Sequence, residues 1–314
     1  MNISFVIPHK GRIELLERTL ESILGLDWDA KTIELIVVTQ NKTLDFLDVD
    51  LEHIAHSIVF RPEQETISTL RNIGAARASG DYLVFLDADI RLSPNWLKIM
   101  FEELDADPAR VLVSAIQYCG TSATKLERIR VALNSGAADR HVEFMDGRNL
   151  FLKKETFVNV GGFPEHLITC EDYYFTHQVR RLGKLYCSAK ASYIHLGEDT
   201  RYNVMFRKEI WRGQSNLHSM KGRSIPLREM PSFLVPFWIA GAVVFSLFFG
   251  AVGIPKLAGG CVLMAALPIV LYAIRLFRLG NGAFGFFDSL IFYLVYFPAR
   301  IIGTIAGLFR AIIL

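Results

Sequence analysis

The sequence predicts an α/β domain on a mostly parallel, Rossmann-like sheet, followed by C-terminal transmembrane helices. Three observations carry that expectation. Up to about residue 116, short apolar runs alternate with stretches of helical spacing, the pattern of β-α-β units. Charge is ordinary up to residue 231 and then almost disappears. Of 34 Lys and Arg and 32 Asp and Glu, residues 232–314 hold only Lys256, Arg275, Arg278, Asp288, Arg300 and Arg310. Within that tail, residues 233–254 and 257–277 each come close to the ~20 apolar residues that cross a bilayer as a helix. The expected parts are a soluble domain over 1–231 and a membrane region over 232–314.

Ile3 to Ile7 reads as a buried strand ended by Pro8, with Gly11 in the loop that follows. Leu15, Leu16, Leu20, Ile23 and Leu24 then recur at helical spacing. Ile33 to Thr39 and Ile58 to Phe60 read as strands, and Thr66 to Ser79 as a helix stopped by Gly80. Tyr82 to Leu86 is an apolar strand that runs directly into Asp87-Ala88-Asp89. Ser93-Pro94 suggests a capped start to a helix whose apolar stripe runs from Trp96 to Leu104, and Val111 to Ile116 is a further strand. Residues 120–146 are polar without clear period and are expected to form a loop or flap.

Arg207, Lys208, Arg212, Lys221, Arg223 and Arg228 precede the first apolar stretch, and Arg275 and Arg278 follow the second. That bias predicts cytoplasmic flanks, with the Pro255-Lys256 connection outside. Residues 284–314 contain Asp288 and Arg300, which are costly at mid-membrane, so an interfacial or re-entrant segment is expected ahead of a third span. The near balance of charge, formally +2 overall, gives no footprint for nucleic acid. Cys119, Cys170, Cys187 and Cys261 lack the spacing of a disulfide framework or zinc site. The apolar opening run is too short for a signal peptide, so the expected location is the cytoplasmic membrane with the soluble domain facing the cytoplasm.

Two carboxylates two residues apart at a strand end place hard oxygen ligands near one point, suited to Mg²⁺ or Mn²⁺ and through it to a diphosphate; taken alone they equally suit a solvated turn. They do not stand alone. The run from Thr69-Leu70-Arg71-Asn72-Ile73-Gly74 through Gly80-Asp81-Tyr82 to Asp87-Ala88-Asp89 resembles the signature of family 2 glycosyltransferases. Val6-Ile7-Pro8, Gly147-Arg148-Asn149, Val160-Gly161-Gly162-Phe163-Pro164-Glu165 and Glu171-Asp172 resemble further blocks of that family, in its order, over roughly residues 3–215.

The resemblance implies a GT-A fold, a nucleotide-sugar donor and a divalent metal, Mg²⁺ or Mn²⁺. By it, Asp89 coordinates metal, Asp87 contacts the ribose or the metal shell, and Asp172 is the general base with Glu171 beside it. The implied donor site takes in Pro8, Arg71, Asn72, Asp87, Ala88, Arg148 and Asn149. His195 resembles a family histidine that completes the metal shell, and is otherwise structural. Arg71 and Asn72 have the alternative of a helix-surface salt bridge and a cap. Arg212, near Trp211, can reach the diphosphate or the membrane surface. The second strand departs from the family: Val37-Val38-Thr39-Gln40-Asn41 lacks its usual carboxylate, leaving the amides of Gln40 and Asn41 as candidates to read a base.

The expected activity is inverting, non-processive transfer from a nucleotide-sugar to a membrane-proximal acceptor, a lipid-linked saccharide or other glycan. No Gln-x-x-Arg-Trp motif of processive synthases occurs between Arg207 and Arg212. A polyprenyl-phosphate sugar synthase and a catalytically silent scaffold are the alternatives.

Overall fold

A computed structural model of the chain describes residues 2–45, 47–134, 138–214 and 230–313, the side chains of Ser232 and 310–313 excepted. Lys221, Arg223 and Arg228 lie outside the described residues. The chain divides into two compact units, Met1–Gly120 with Asn134–Glu198, and Thr121–Leu133 with Asp199–Leu314.

The first unit follows the predicted alternation. In order come β1 (Ile3–His9), α1 (Ile13–Leu24), β2 (Ile33–Thr39), β3 (Ala55–Phe60), α2 (Ile67–Arg77), β4 (Tyr82–Leu86), β5 (Ile90–Leu92), α3 (Trp96–Asp105) and β6 (Arg110–Tyr118). After α4 (Lys125–Asn134) come β7 (Arg140–Val142), β8 (Asn149–Lys153), α5 (Lys154–Asn159), α6 (Glu171–Arg180) and β9 (Lys184–His195). The strands form one sheet in the order β3-β2-β1-β4-β8-β6-β9-β5, with β7 on β9.

The sheet is mixed. β1, β2, β3 and β4 pair in parallel, as does β6 with β9, whereas β8 runs antiparallel to both β4 and β6, and β5 and β7 antiparallel to β9. In the parallel half, β1 reaches β2 through α1 and β3 reaches β4 through α2. β8 instead returns from the segment after β7, so no crossover helix forces it parallel.

Alternation along the strands explains the layers. Phe5, Ile7, Leu35, Val37, Val84 and Leu86 face one core with Leu16, Leu20 and Ile23 of α1 and Trp96 and Met100 of α3. Val6, Ile36, Val38, Leu83 and Phe85 face the other, with Leu70 of α2, Phe157 of α5 and Phe175 of α6. Sheet and flanking helices therefore leave the strand ends as the place for polar chemistry.

Two local expectations differ. The segment expected as a loop over 120–146 contains α4 and β7. α4 buries only Leu126 and Ile129, too narrow a stripe to stand out among its charges. The helix after β5 starts at Trp96 with Asn95 at the cap and no side-chain cap bond. Ser93 does not cap it: its Oγ donates to Asn95 Oδ1 at 2.8 Å and accepts from Ser192 N at 3.1 Å, tying the segment to β9.

The second unit gathers α4, α7 (Tyr202–Gly213), α8 (Met230–Ala251), α9 (Pro255–Leu279) and α10 (Phe286–Ile313). Phe233–Ala251, Pro255–Leu279 and Phe286–Phe309 are each long and apolar enough to cross a membrane. The last stretch is thus one continuous helix and a third candidate span. Arg300, the feature that spoke against a span, meets Glu209 of α7 at 3.3 Å; Asp288 meets Lys125 of α4 at 2.9 Å. Glu209 also receives Arg130 and Arg212, each at 2.7 Å. Burial works against its charge, but Arg300, Arg130 and Arg212 outweigh it and hold its pKa at about 2.

Candidate functional site

The side chains of interest collect beyond the end of β4. There Asp87 N donates to Arg148 O at 3.1 Å, tying the end of β4 to the residue that precedes β8. Arg71 of α2 lies almost wholly buried, 2% exposed, which excludes the helix-surface alternative. Its Nη2 donates to Asp87 Oδ1 at 2.9 Å and its Nη1 to Glu171 Oε1 at 3.0 Å. The guanidinium also sits 5.0 Å from the Phe163 ring centre. A Cβ at Gly147 would stand 2.9 Å from both terminal nitrogens, so the residue type there leaves room for the cation. One buried arginine thus holds the strand-end carboxylate and the first acid of α6 in a single bridge.

Asp89 belongs to a second group. Its Oδ2 meets His195 Nε2 at 3.2 Å and Arg12 Nη2 at 3.2 Å. His195, the last residue of β9, is held from its other side: Nδ1 meets Glu198 Oε2 at 3.0 Å and Arg148 Nη1 at 3.2 Å. Arg148 reaches Asp146 at 3.5 Å and Glu198 at 3.7 Å. Burial opposes charge on Asp89, yet His195, Arg12 and Arg148 keep its pKa below the usual carboxylate value. Burial likewise opposes charge on His195, and Asp89 and Glu198 outweigh it, raising the ring to about 9.

A Cβ at Gly197 would run into Asp89 Oδ2 and lie 2.6 Å from Arg12 Nη2. Gly197→Ala is therefore expected to push the Asp89 carboxylate away from His195. The check is the His195 ring nitrogen resonances in ¹⁵N-histidine NMR; unchanged resonances would contradict it.

Asp172 opens α6 beside Glu171, and its Oδ1 accepts from Tyr173 N at 2.8 Å. Burial raises its pKa to about 8, Glu171 and Asp146 add to the rise, and Arg71 only partly opposes them. A carboxylate raised this far keeps its proton into neutral solution.

The remaining expected residues divide. Asn149 is buried at the start of β8 opposite Leu86, and its Nδ2 has no hydrogen-bond partner among the described residues. Pro8 sits buried in β1 opposite Val38, and Ala88 lies half-buried between the two carboxylates. Asn72 is engaged elsewhere: Nδ2 donates to Phe163 O at 2.9 Å and Glu165 Oε1 at 2.8 Å, and Oδ1 accepts from Phe163 N at 2.9 Å. Gln40 Nε2 donates to Pro62 O and Glu65 O, both at 2.8 Å. Asn41 clasps Gly11, accepting from its N at 2.7 Å and donating to its O at 2.8 Å. These three amides shape the loops around the strand ends. Arg212 belongs to the second unit, on Glu209.

Four participants are not among the residues expected from the sequence: Arg12, Asp146, Gly197 and Glu198. Glu198, three residues beyond His195, is the one whose spacing offered a clue.

The residues fit a divalent cation as a partial shell. Asp89 Oδ2 and His195 Nε2 are an oxygen and an imidazole nitrogen 3.2 Å apart, close to the ~3 Å that separates adjacent ligands in an octahedron of ~2.1 Å bonds. Among the described residues no group of three or more His, Cys, Asp or Glu is arranged to hold a metal by itself. Magnesium-type sites commonly take one or two protein ligands and complete the shell with substrate phosphates and water.

The family model for glycosyl transferase family 2 matches residues 4–164. Glycosyltransferase AglE of Haloferax volcanii is 23% identical over 190 residues, 58% of this chain and 62% of that protein. Glucosyl-dolichyl phosphate glucuronosyltransferase of the same organism is 24% identical over 162 residues, 48% of this chain and 52% of the other. The chain thus spans about half to three fifths of these curated relatives. Among solved structures, the mannosyltransferase PcManGT of Pyrobaculum calidifontis, in complex with GDP-Man and Mn²⁺, superimposes with a TM-score of 0.61 at 16% identity. That superposition covers 97% of this chain and 87% of the other, and the likeness is one of fold, the GT-A architecture.

Proposed function

The chain belongs to glycosyl transferase family 2, and on that premise we propose that it is an inverting, metal-dependent, non-processive transferase. It moves a hexose from a nucleotide-sugar to an acceptor at the cytoplasmic face of the membrane. The observation that carries the reading is the Arg71 bridge, which joins Asp87 at the strand end to Glu171 beside Asp172. An acceptor hydroxyl is a poor nucleophile, and Asp172, its pKa raised by burial, takes the proton as the hydroxyl attacks the anomeric carbon. Attack from the face opposite the leaving diphosphate inverts that carbon.

Asp89 and His195 would hold the divalent cation, whose contribution is to stabilise charge growing on the diphosphate. Arg148 and Arg12 add positive charge around the same carboxylate, and Asn149 offers an open amide donor beside Arg148. Asp87 is left for the ribose or a metal-bound water.

A lipid-linked saccharide is the acceptor we favour. Three candidate spans support membrane residence, and a Haloferax relative carries a name that describes transfer onto glucosyl-dolichyl phosphate. The basic residues beside the apolar helices support a cytoplasmic orientation.

The test is nucleotide binding. UDP, GDP, dTDP and CMP are titrated with and without Mn²⁺ against the full chain and Asp89→Ala. Metal-dependent binding of one nucleotide, weakened at least about tenfold in Asp89→Ala, is expected. Failure of all four to bind would sink the reading.

A further inference from the structure

We infer that Glu198 is a positioning residue that selects which ring nitrogen of His195 is available to the metal; the inference rests on the metal reading above. The geometry at Nδ1 sets up a choice. Glu198 Oε2 lies 3.0 Å from Nδ1 and can only accept a hydrogen bond from it as a carboxylate. Arg148 Nη1 lies 3.2 Å from the same nitrogen and can only donate. The two neighbours demand opposite states of Nδ1.

The imidazole that binds a cation carries one proton. With Glu198 in place, that proton stays on Nδ1, facing its carboxylate, and Nε2, 3.2 Å from Asp89 Oδ2, is the nitrogen that gives its position to the cation. Without Glu198, Nδ1 accepts from Arg148 instead and the proton moves to Nε2, where it faces Asp89 and closes the ligand position. The shell around Glu198 fits the task. Its side chain is 6% exposed, Gln117 Nε2 donates to the same Oε2 at 3.3 Å, and Asn134 Nδ2 donates to Gln117 Oε1 at 2.9 Å. Gln117 is thereby turned with its amide hydrogens toward Glu198. A carboxylate behind a metal-binding histidine fixes both tautomer and ring orientation.

The experiment compares Mn²⁺ affinity of the full chain in detergent, measured by electron paramagnetic resonance with Mn²⁺ alone, for wild type, Glu198→Leu and Glu198→Gln. Leucine keeps the size and removes the acceptor; glutamine keeps an acceptor oxygen for Nδ1–H. Binding about 10- to 100-fold weaker is expected for Glu198→Leu, with most of the affinity retained in Glu198→Gln. A packing role would not separate these two variants of similar size. Glu198→Ala repeats the comparison should Glu198→Leu not fold. Equal Mn²⁺ affinity in wild type and Glu198→Leu or Glu198→Ala overturns this inference alone. Absence of Mn²⁺ binding in wild type, both alone and with UDP, GDP, dTDP or CMP present, overturns it together with the metal reading.

Discussion

Asp172→Asn is expected to lower kcat by about 10²-fold or more while nucleotide binding persists, because the amide keeps the shape and cannot take a proton. Steady-state kinetics with the donor found in the binding screen measure this. A small effect would point to an acceptor already ionised, such as a lipid phosphate, and so to a polyprenyl-phosphate sugar synthase. The same residue sets a pH dependence. Its pKa is raised to about 8, so the base is neutral in mildly acidic solution and kcat/KM rises as pH climbs toward 8. Stability runs the other way. The folded protein holds this proton more tightly than the unfolded chain. The associated stabilisation is full below the ordinary aspartate pKa and is lost as pH rises through about 8. Asp172→Asn removes that slope, which urea unfolding at a series of pH values detects.

Arg71→Met carries the second large effect. The substitution leaves Asp87 and Glu171 facing each other without the cation that joins them, one of them only 13% exposed. Removing one partner from a buried ion pair costs about 3 kcal/mol or more. For a unit of this size that lowers Tm by roughly 6–12 °C. Activity should fall further than stability explains, because Glu171 and Asp172 open the same helix. A melting curve within 2–3 °C of wild type would contradict the bridge as a structural element.

The acids of the site were readable in the sequence because each is local. Asp87 and Asp89 follow an apolar strand without interruption, and Glu171-Asp172 opens a helix. Their partners were not, because pairing is decided by sheet order. Arg12 meets Asp89 across 77 positions only because β1 and β4 are neighbours, and Arg71 meets Glu171 across 100. The amides show a different limit. Gln40, Asn41 and Asn72 have the chemistry to read a ligand or to hold a backbone, and composition cannot say which; here all three hold loops. α4 is not legible in the sequence because its inward side includes a cation: Arg130 sits between Asp199 and Glu209, where a hydrophobic pattern would need an apolar side chain.

The insertion of α4 into the chain of the other unit bears on how the protein can be cut. Leu126 and Ile129 are buried with Met205, Ile239, Leu276 and Phe292, a cluster drawn from α4, α7, α8, α9 and α10. A fragment ending at residue 231 therefore exposes the apolar faces of α4 and α7, and loses activity or solubility for reasons unrelated to membrane attachment. The boundary at Glu198–Asp199 is no safer, since Glu198 is bound to His195 and Asp199 to Arg130 and Lys208. Questions about the bilayer are better put to the intact polypeptide, by moving it between micelles and lipid discs of chosen composition.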